Sequence, residues 1–141
     1  MFPLRAALEK GVRVGLGTDI SGGPSASMFD SARMAVAASR MLESGVDPGL
    51  VPGMRGRQDA RIDLPAAFHL ATAGGADVLD LPVGRFAPGK LFDAIRLDPA
   101  APDGTIRIWG GESDDDLLAA LLYGASRSNI VSVWTGGRPA G

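Results

Sequence analysis

A short apolar run that ends on a carboxylate constrains this chain most. Residues 12–16 read Val-Arg-Val-Gly-Leu, and Gly-Thr-Asp19 and then the pair Gly22-Gly23 follow. Short runs of β-branched and aliphatic residues bounded by glycine are typical of a buried strand. The pattern therefore predicts a strand whose end presents Asp19 on a glycine-rich turn.

The same stretch fails two phosphate-binding patterns. Its first two glycines fit a dinucleotide-binding loop, but Ile20 stands where the third glycine is required. A P-loop spacing of glycines is also present, but Gly23 stands where lysine is required. Two interpretations remain open. Asp19 lies at the carboxyl end of a barrel strand, where such barrels place their active sites, or it only hydrogen-bonds nearby backbone in a turn.

The rest of the chain has the pattern of an α/β protein. Helices are predicted over residues 3–10, from Ser25 or Ser27 to residue 45, from residue 63 with a break near Gly74-Gly75, and over residues 113–125. Strands are predicted near residues 92–97 and 129–135, and a long Pro/Gly-rich loop over residues 45–63. In the second helix, Asp30, Arg33 and Arg40 are predicted to share the polar face.

Composition limits the classes of function. The 141 residues are 45% hydrophobic, which suits one domain with a real core. A formal net charge of −2 argues against a nucleic-acid partner, and the lack of cysteine excludes disulfides and thiolate metal sites. We find no bilayer-spanning run and no signal-peptide core. These features predict a cytoplasmic protein without a membrane partner.

A metal site needs more ligands than this sequence offers. A catalytic zinc normally has about three protein ligands and one open position. The one histidine, His69, falls on a predicted helix beside two apolar residues, so we interpret it as a core or surface histidine. Either Asp19 belongs to no metal site, or the other ligands lie outside this chain. Arg85, Lys90 and Arg138 are interpreted as solvated surface.

Three blocks of the sequence resemble the guanine deaminases of the amidohydrolase superfamily. They are GLGTDISGGPSASMFDSARMA, FHLATAGGADVLDLPVGRFAPGKLFDAIRLD and LLYGASRSNIVSVWTGGRP. Their order and spacing agree with that family and together cover nearly the whole chain. The last block departs from the commonest family form, which carries an acidic pair before Arg-Asn-Ile, because residues 125–130 here read Ala-Ser-Arg-Ser-Asn-Ile.

The resemblance implies a divided architecture. Residues 1–81 would be the carboxyl-terminal part of a (β/α)8 barrel, with its last strand and helices. Residues 82–141 would supply strands of the accessory β-sandwich, with one helix. The His-x-His pair, two later zinc histidines and the acid/base glutamate of the family have no counterpart here. The chain is therefore expected to be the carboxyl-terminal piece of a longer enzyme and inactive alone.

The resemblance also implies a chemistry, the hydrolysis of guanine to xanthine and ammonia in purine catabolism. In the complete enzyme Asp19 would touch one zinc ion and accept a proton from the attacking water. Gly22 and Gly23 would let the turn pass without side-chain clash and so clear space around the metal. Thr18 either orients Asp19 or is an ordinary threonine at a strand end. A purine base is the implied ligand, and a homodimer the implied assembly.

Two alternatives remain beside this interpretation. One is another amidohydrolase, such as an adenosine-type or chlorohydrolase-like deaminase, because the Gly-Thr-Asp motif is shared across the superfamily. The other is a stand-alone α/β domain without catalytic activity.

Overall fold

A computed structural model describes residues 1–140, which form a layer of helices and a small antiparallel sheet. The helices are α1 (Leu4–Glu9), α2 (Met28–Ser44), α3 (Pro52–Arg55), α4 (Leu64–Ala71), α5 (Ala73–Val78) and α6 (Asp114–Gly124). The strands are β1 (Ala94–Leu97), β2 (Ile130–Thr135) and β3 (Arg138–Pro139), and a 3-10 turn covers Arg127–Asn129. This confirms the α/β class that the sequence predicts.

The core lies where helices α2, α4 and α6 meet. Ala32, Val36 and Ser39 of α2 are buried at helical spacing and form its inner face. The buried Ser39 hydroxyl donates to the Val36 carbonyl at 2.7 Å and accepts from the Ile62 amide at 3.1 Å. Both hydrogen bonds offset the cost of burying this hydroxyl. Because Ile62 lies near the end of the loop over residues 45–63, the second bond also holds that end of the loop against α2.

The three strands form one sheet in the order β1-β2-β3. Strands β1 and β2 pair antiparallel, with Ala94 opposite Trp134 and an irregularity after Arg96. Gly136 and Gly137 have φ angles of 57° and 79°, the left-handed conformations that a tight primed hairpin between β2 and β3 requires. The predicted strands near residues 92–97 and 129–135 are therefore confirmed.

The predicted strand over residues 12–16 is wrong, because these residues form no ladder within residues 1–140. Their backbone bonds go to helix ends instead. The Val12 amide donates to the Ala7 carbonyl at 3.0 Å, and the Leu16 amide to the Leu70 carbonyl at 2.9 Å. A strand needs a neighbouring strand for its hydrogen bonds, and the described residues place none beside this segment.

The segment over residues 12–16 also lies closely against α5. A methyl group added at Gly15 would place its carbon 2.7 Å from the Gly75 Cα. We expect Gly15→Ala to lower the free energy of unfolding by about 1–3 kcal/mol, because the two backbones would have to separate. Urea unfolding of the purified chain measures this. Gly17→Ala is the matched control, since no atom lies within 4 Å of its added carbon, and equal losses for both variants would contradict the prediction.

Side chains cap the first turn of two helices but not of a third. The Asp63 carboxylate accepts from the Ala66 amide at 2.8 Å and begins α4. Ser113 and Asp116 form a capping box at α6, and the Ser113 hydroxyl, followed by its amide, holds the pKa of Asp116 below its ordinary value. Ser27 occupies the N-cap position of α2, but its side chain makes no capping bond. The Ser25 hydroxyl instead accepts from the Ser27 amide at 3.0 Å.

Three further sequence expectations need correction or refinement. The break in the third predicted helix falls at Thr72, before the glycine pair, because this residue has a non-helical backbone (φ −126°, ψ −94°). The loop over residues 45–63 contains the short helix α3. Arg33 shares the polar face with Asp30 as predicted, but this part of α2 packs against α6, because the guanidinium reaches the carbonyls of Leu122 and Ala125.

Helix α6 belongs to the second predicted segment but packs on the first. Its Leu122 joins the same buried cluster as Val36 of α2 and Leu70 of α4. The division into residues 1–81 and 82–141 stays a prediction, and Gly141 lies outside the described residues. Among residues 1–140, no helix combines the length and the apolar character needed to cross a membrane.

Candidate active site

Asp19 lies three residues after the segment over residues 12–16 and is exposed. Its φ angle of 48° is left-handed, a conformation that Asp tolerates better than most residues. Its carbonyl accepts from the Gly22 amide at 2.9 Å and also from the Gly23 amide. Within residues 1–140, its carboxylate makes no hydrogen bond and no ion pair. The turn therefore holds the backbone of Asp19 and leaves its two carboxylate oxygens free for a ligand.

Gly23 is required by this turn, and Gly22 leaves room for the Asp19 carboxylate. A side chain at Gly22 would place its Cβ 2.8 Å from the Oδ2 atom of Asp19. A side chain at Gly23 would collide with the Thr18 carbonyl. The clash at Gly23 agrees with the prediction that these glycines let the turn pass without side-chain clash, whereas the predicted clearance around a metal stays a prediction.

A groove of about 380 Å³ runs from Asp19 along helix α2. One side consists of residues 16–19 and the turn at residues 23–25, and the other is a face of α2. That face carries Asp30 and Ser31 near its start and Met34, Ala35 and Ala38 further along. The groove thus combines polar lining groups, among them Asp19 and Asp30, with apolar ones such as Met34, which suits a small ligand that is partly polar and partly apolar.

Sequence reasoning missed Asp30 and Ser31 as lining residues of this groove. It placed Asp30 on the polar face of the second helix with Arg33. The two side chains do pair at i,i+3, with 2.7 Å between Oδ1 and Nη1, but this spacing alone does not indicate a groove.

The described residues do not form a complete metal site. Among residues 1–140, no three His, Asp or Glu side chains come close enough together to hold an ion. His69 is exposed on α4, as a surface histidine, and it joins no such group. Asp19 is one carboxylate, so this chain alone does not fit a catalytic zinc with about three protein ligands.

Among the other candidate residues, Thr18 lines the groove, whereas Arg85, Lys90 and Arg138 do not. Thr18 donates no hydrogen bond to Asp19 within residues 1–140. Arg85 is exposed and pairs with Asp77, while Lys90 and Arg138 are exposed, as the sequence predicts. A second hollow of about 410 Å³ is lined by Arg13, Lys90 and α5. There the Arg13 guanidinium already pairs with Asp80 at 3.2 Å.

Comparison with known proteins identifies the class. The sequence matches the amidohydrolase family over residues 1–140, and the chain belongs to that family. Within the family it is similar to guanine deaminases, and its structure matches a part of their fold.

Three relatives illustrate this similarity. Guanine deaminase of Homo sapiens is 36% identical over 137 residues, which cover 93% of this chain and 28% of that protein. The solved structure of E. coli guanine deaminase has a TM-score of 0.74 and 30% identity, over 96% of this chain and 29% of that one. The structure of guanine deaminase from C. acetobutylicum with bound guanine has a TM-score of 0.76 and 25% identity, over 99% of this chain and 30% of that one. The chain thus spans 28–30% of the length of these three relatives.

Proposed function

We propose that this chain is the carboxyl-terminal part of a guanine deaminase that hydrolyses guanine to xanthine and ammonia. The observation that carries the proposal is the free carboxylate of Asp19, held by a glycine turn at the edge of a groove. The similarity to guanine deaminases over almost the entire chain supports this choice of substrate over other deaminases of the family.

The part that we assign to Asp19 is proton transfer. A general base must be held within hydrogen-bond reach of the proton that it abstracts. The two backbone hydrogen bonds to the Asp19 carbonyl restrict where its side chain can go. The carboxylate would accept the proton of the attacking water. The groove beside it would receive the purine ring.

The cofactor that we propose is one zinc ion in the complete enzyme. Amidohydrolases generally use a metal ion, and such an ion supplies an activated water at neutral pH. Asp19 is the single ligand that we assign from this chain. The remaining ligands would be histidines outside these 141 residues, either earlier in a longer polypeptide or in a second one. We also propose a cytoplasmic enzyme that assembles as a homodimer.

The isolated chain is expected to release no ammonia from guanine above background when zinc is supplied, because one carboxylate does not retain the ion. Activity is expected when residues 1–141 replace the matching part of E. coli guanine deaminase, whose own barrel then supplies the missing ligands. Xanthine formation and bound zinc are measured together in both proteins.

Turnover by the isolated chain would contradict the assignment of the other ligands to residues outside it. A folded, zinc-loaded fusion that forms no xanthine would contradict the proposed substrate. Ammonia release from adenosine or a chlorinated ring by that fusion would favour another deaminase of the family. A clean cooperative melt of an inactive, monomeric chain would favour the non-catalytic domain.

A further inference from the structure

Arg33 joins the two predicted segments of the chain at one point. Its Nε donates to the Leu122 carbonyl at 2.6 Å, and its Nη2 donates to the Ala125 carbonyl at 2.6 Å. Its Nη1 donates to the Asp30 carboxylate at 2.7 Å. One side chain of α2 therefore holds the end of α6 and its own first turn together.

The acceptors on α6 are groups that a helix end leaves without partners. The last four carbonyls of a helix have no amide to accept from within it, and α6 ends on Ala125 with an extended backbone. A guanidinium offers several donors in a planar fork and a positive charge, both of which suit a helix carboxyl end. The Arg33 side chain is 26% exposed, so water screens these bonds only in part.

The hydrogen bond from Arg33 to Asp30 extends this network to the groove. Asp30 lines the groove that Asp19 also lines, and Arg33 fixes the orientation of the Asp30 carboxylate. The Ser31 amide in the same turn donates to the Ser27 carbonyl at 3.1 Å. Hydrogen bonds thus connect the end of α6, through Arg33, to the first turn of α2, and the loop over residues 17–27 leads directly into that turn.

We propose that Arg33 is a positioning residue for the candidate site. It fastens α6 to the first turn of α2 and so fixes the wall of the groove and the loop over residues 17–27. The catalytic meaning of this role rests on the proposed function, whereas the mechanical coupling does not.

The test is amide hydrogen exchange in the 141-residue chain. In Arg33→Met, exchange in residues 17–31 and 122–126 is expected to rise about tenfold or more relative to α4, because charged hydrogen bonds are lost. Arg40→Met is the matched control. Arg40 lies on the same helix, is exposed, and has no hydrogen bond or ion pair within the described residues, so its exchange pattern is expected to stay unchanged.

A merely structural role predicts a different pattern, an increase of similar size in all helices, and that pattern would overturn the proposal. Unchanged exchange in residues 17–27 would overturn it too. If Arg33→Met does not fold, native-state exchange in the unmodified chain decides. The amides of residues 22–23 and of 122–126 are expected to exchange through one opening reaction with a common free energy. Different opening free energies for the two groups would refute the coupling.

The active fusion adds a kinetic readout. Arg33→Met is expected to lower kcat by about 10- to 100-fold, as small misplacements of reacting groups do, with a smaller change in KM. A higher KM with an unchanged kcat would point to a role in substrate binding and contradict positioning. If no fusion deaminates guanine, the proposed function fails while the exchange result still decides the role of Arg33.

Discussion

Asp19→Asn is expected to lower guanine deamination by about 10²- to 10⁴-fold in the E. coli fusion, because the amide accepts no proton from water at neutral pH. The substitution keeps the size of the side chain. Asn also tolerates the left-handed backbone found at this position, where φ is 48°. The loss should therefore come from chemistry and bound metal, and the free energy of unfolding should change by no more than about 0.5 kcal/mol. Xanthine formation, zinc content and urea unfolding measure these three quantities.

Asp59→Asn is the matched control for this variant. Asp59 is exposed and has a similar left-handed backbone, with φ 55°, but it does not line the groove. Its substitution is expected to leave the rate unchanged. A fusion that keeps full activity with Asp19→Asn would show that Asp19 is neither base nor ligand. The interpretation of the Gly-Thr-Asp segment as an ordinary turn would then hold.

Features that depend on residues close together in the sequence could be predicted from it. The capping of α4 by Asp63 and of α6 by Ser113 depends on groups three residues apart, and local spacing encodes such contacts. The hairpin at Gly136-Gly137 is predictable for the same reason, because both of its left-handed residues are glycines.

Features that depend on residues distant in the sequence were not predictable. The carbonyls that bind Arg33 lie 89 and 92 residues further along the chain, so helix periodicity placed this side chain on a polar face without indicating its partners. The apolar pattern of residues 12–16 predicted a strand, but a strand forms only beside another strand. Within residues 1–140 the segment instead bonds to the ends of α1 and α4.

The candidate site also contains one residue that the sequence indicated and one that it did not. Asp19 could be named from its motif, because a glycine-rich turn after an apolar run already suggests a presented carboxylate. The opposite part of the groove could not be named, because Asp30 reaches it through the packing of α2 and through its bond to Arg33. Motifs locate single groups, whereas the shape of a site depends on packing across the fold.

Leu70→Ala is expected to lower the free energy of unfolding by about 2–5 kcal/mol, the usual range for a buried leucine that leaves a cavity. Leu70 is 1% exposed and belongs to the cluster shared by α2, α4 and α6. Its carbonyl also accepts from the Leu16 amide at 2.9 Å, so a shift of α4 would loosen the segment that leads to Asp19. Because single domains are stable by only about 5–15 kcal/mol, this variant is expected to lose a large share of its stability.

Phe68→Ala separates the cavity effect from a general effect on α4. Phe68 lies two residues earlier on the same helix and is 46% exposed, so removing its ring leaves no enclosed cavity. Urea unfolding of both variants is expected to show a clearly smaller loss for Phe68→Ala, although this substitution removes more atoms. A loss at Phe68 equal to that at Leu70 would mean that both side chains are buried in solution. The outer face of α4 would then be covered, as it would be if another copy or a second polypeptide packed against it.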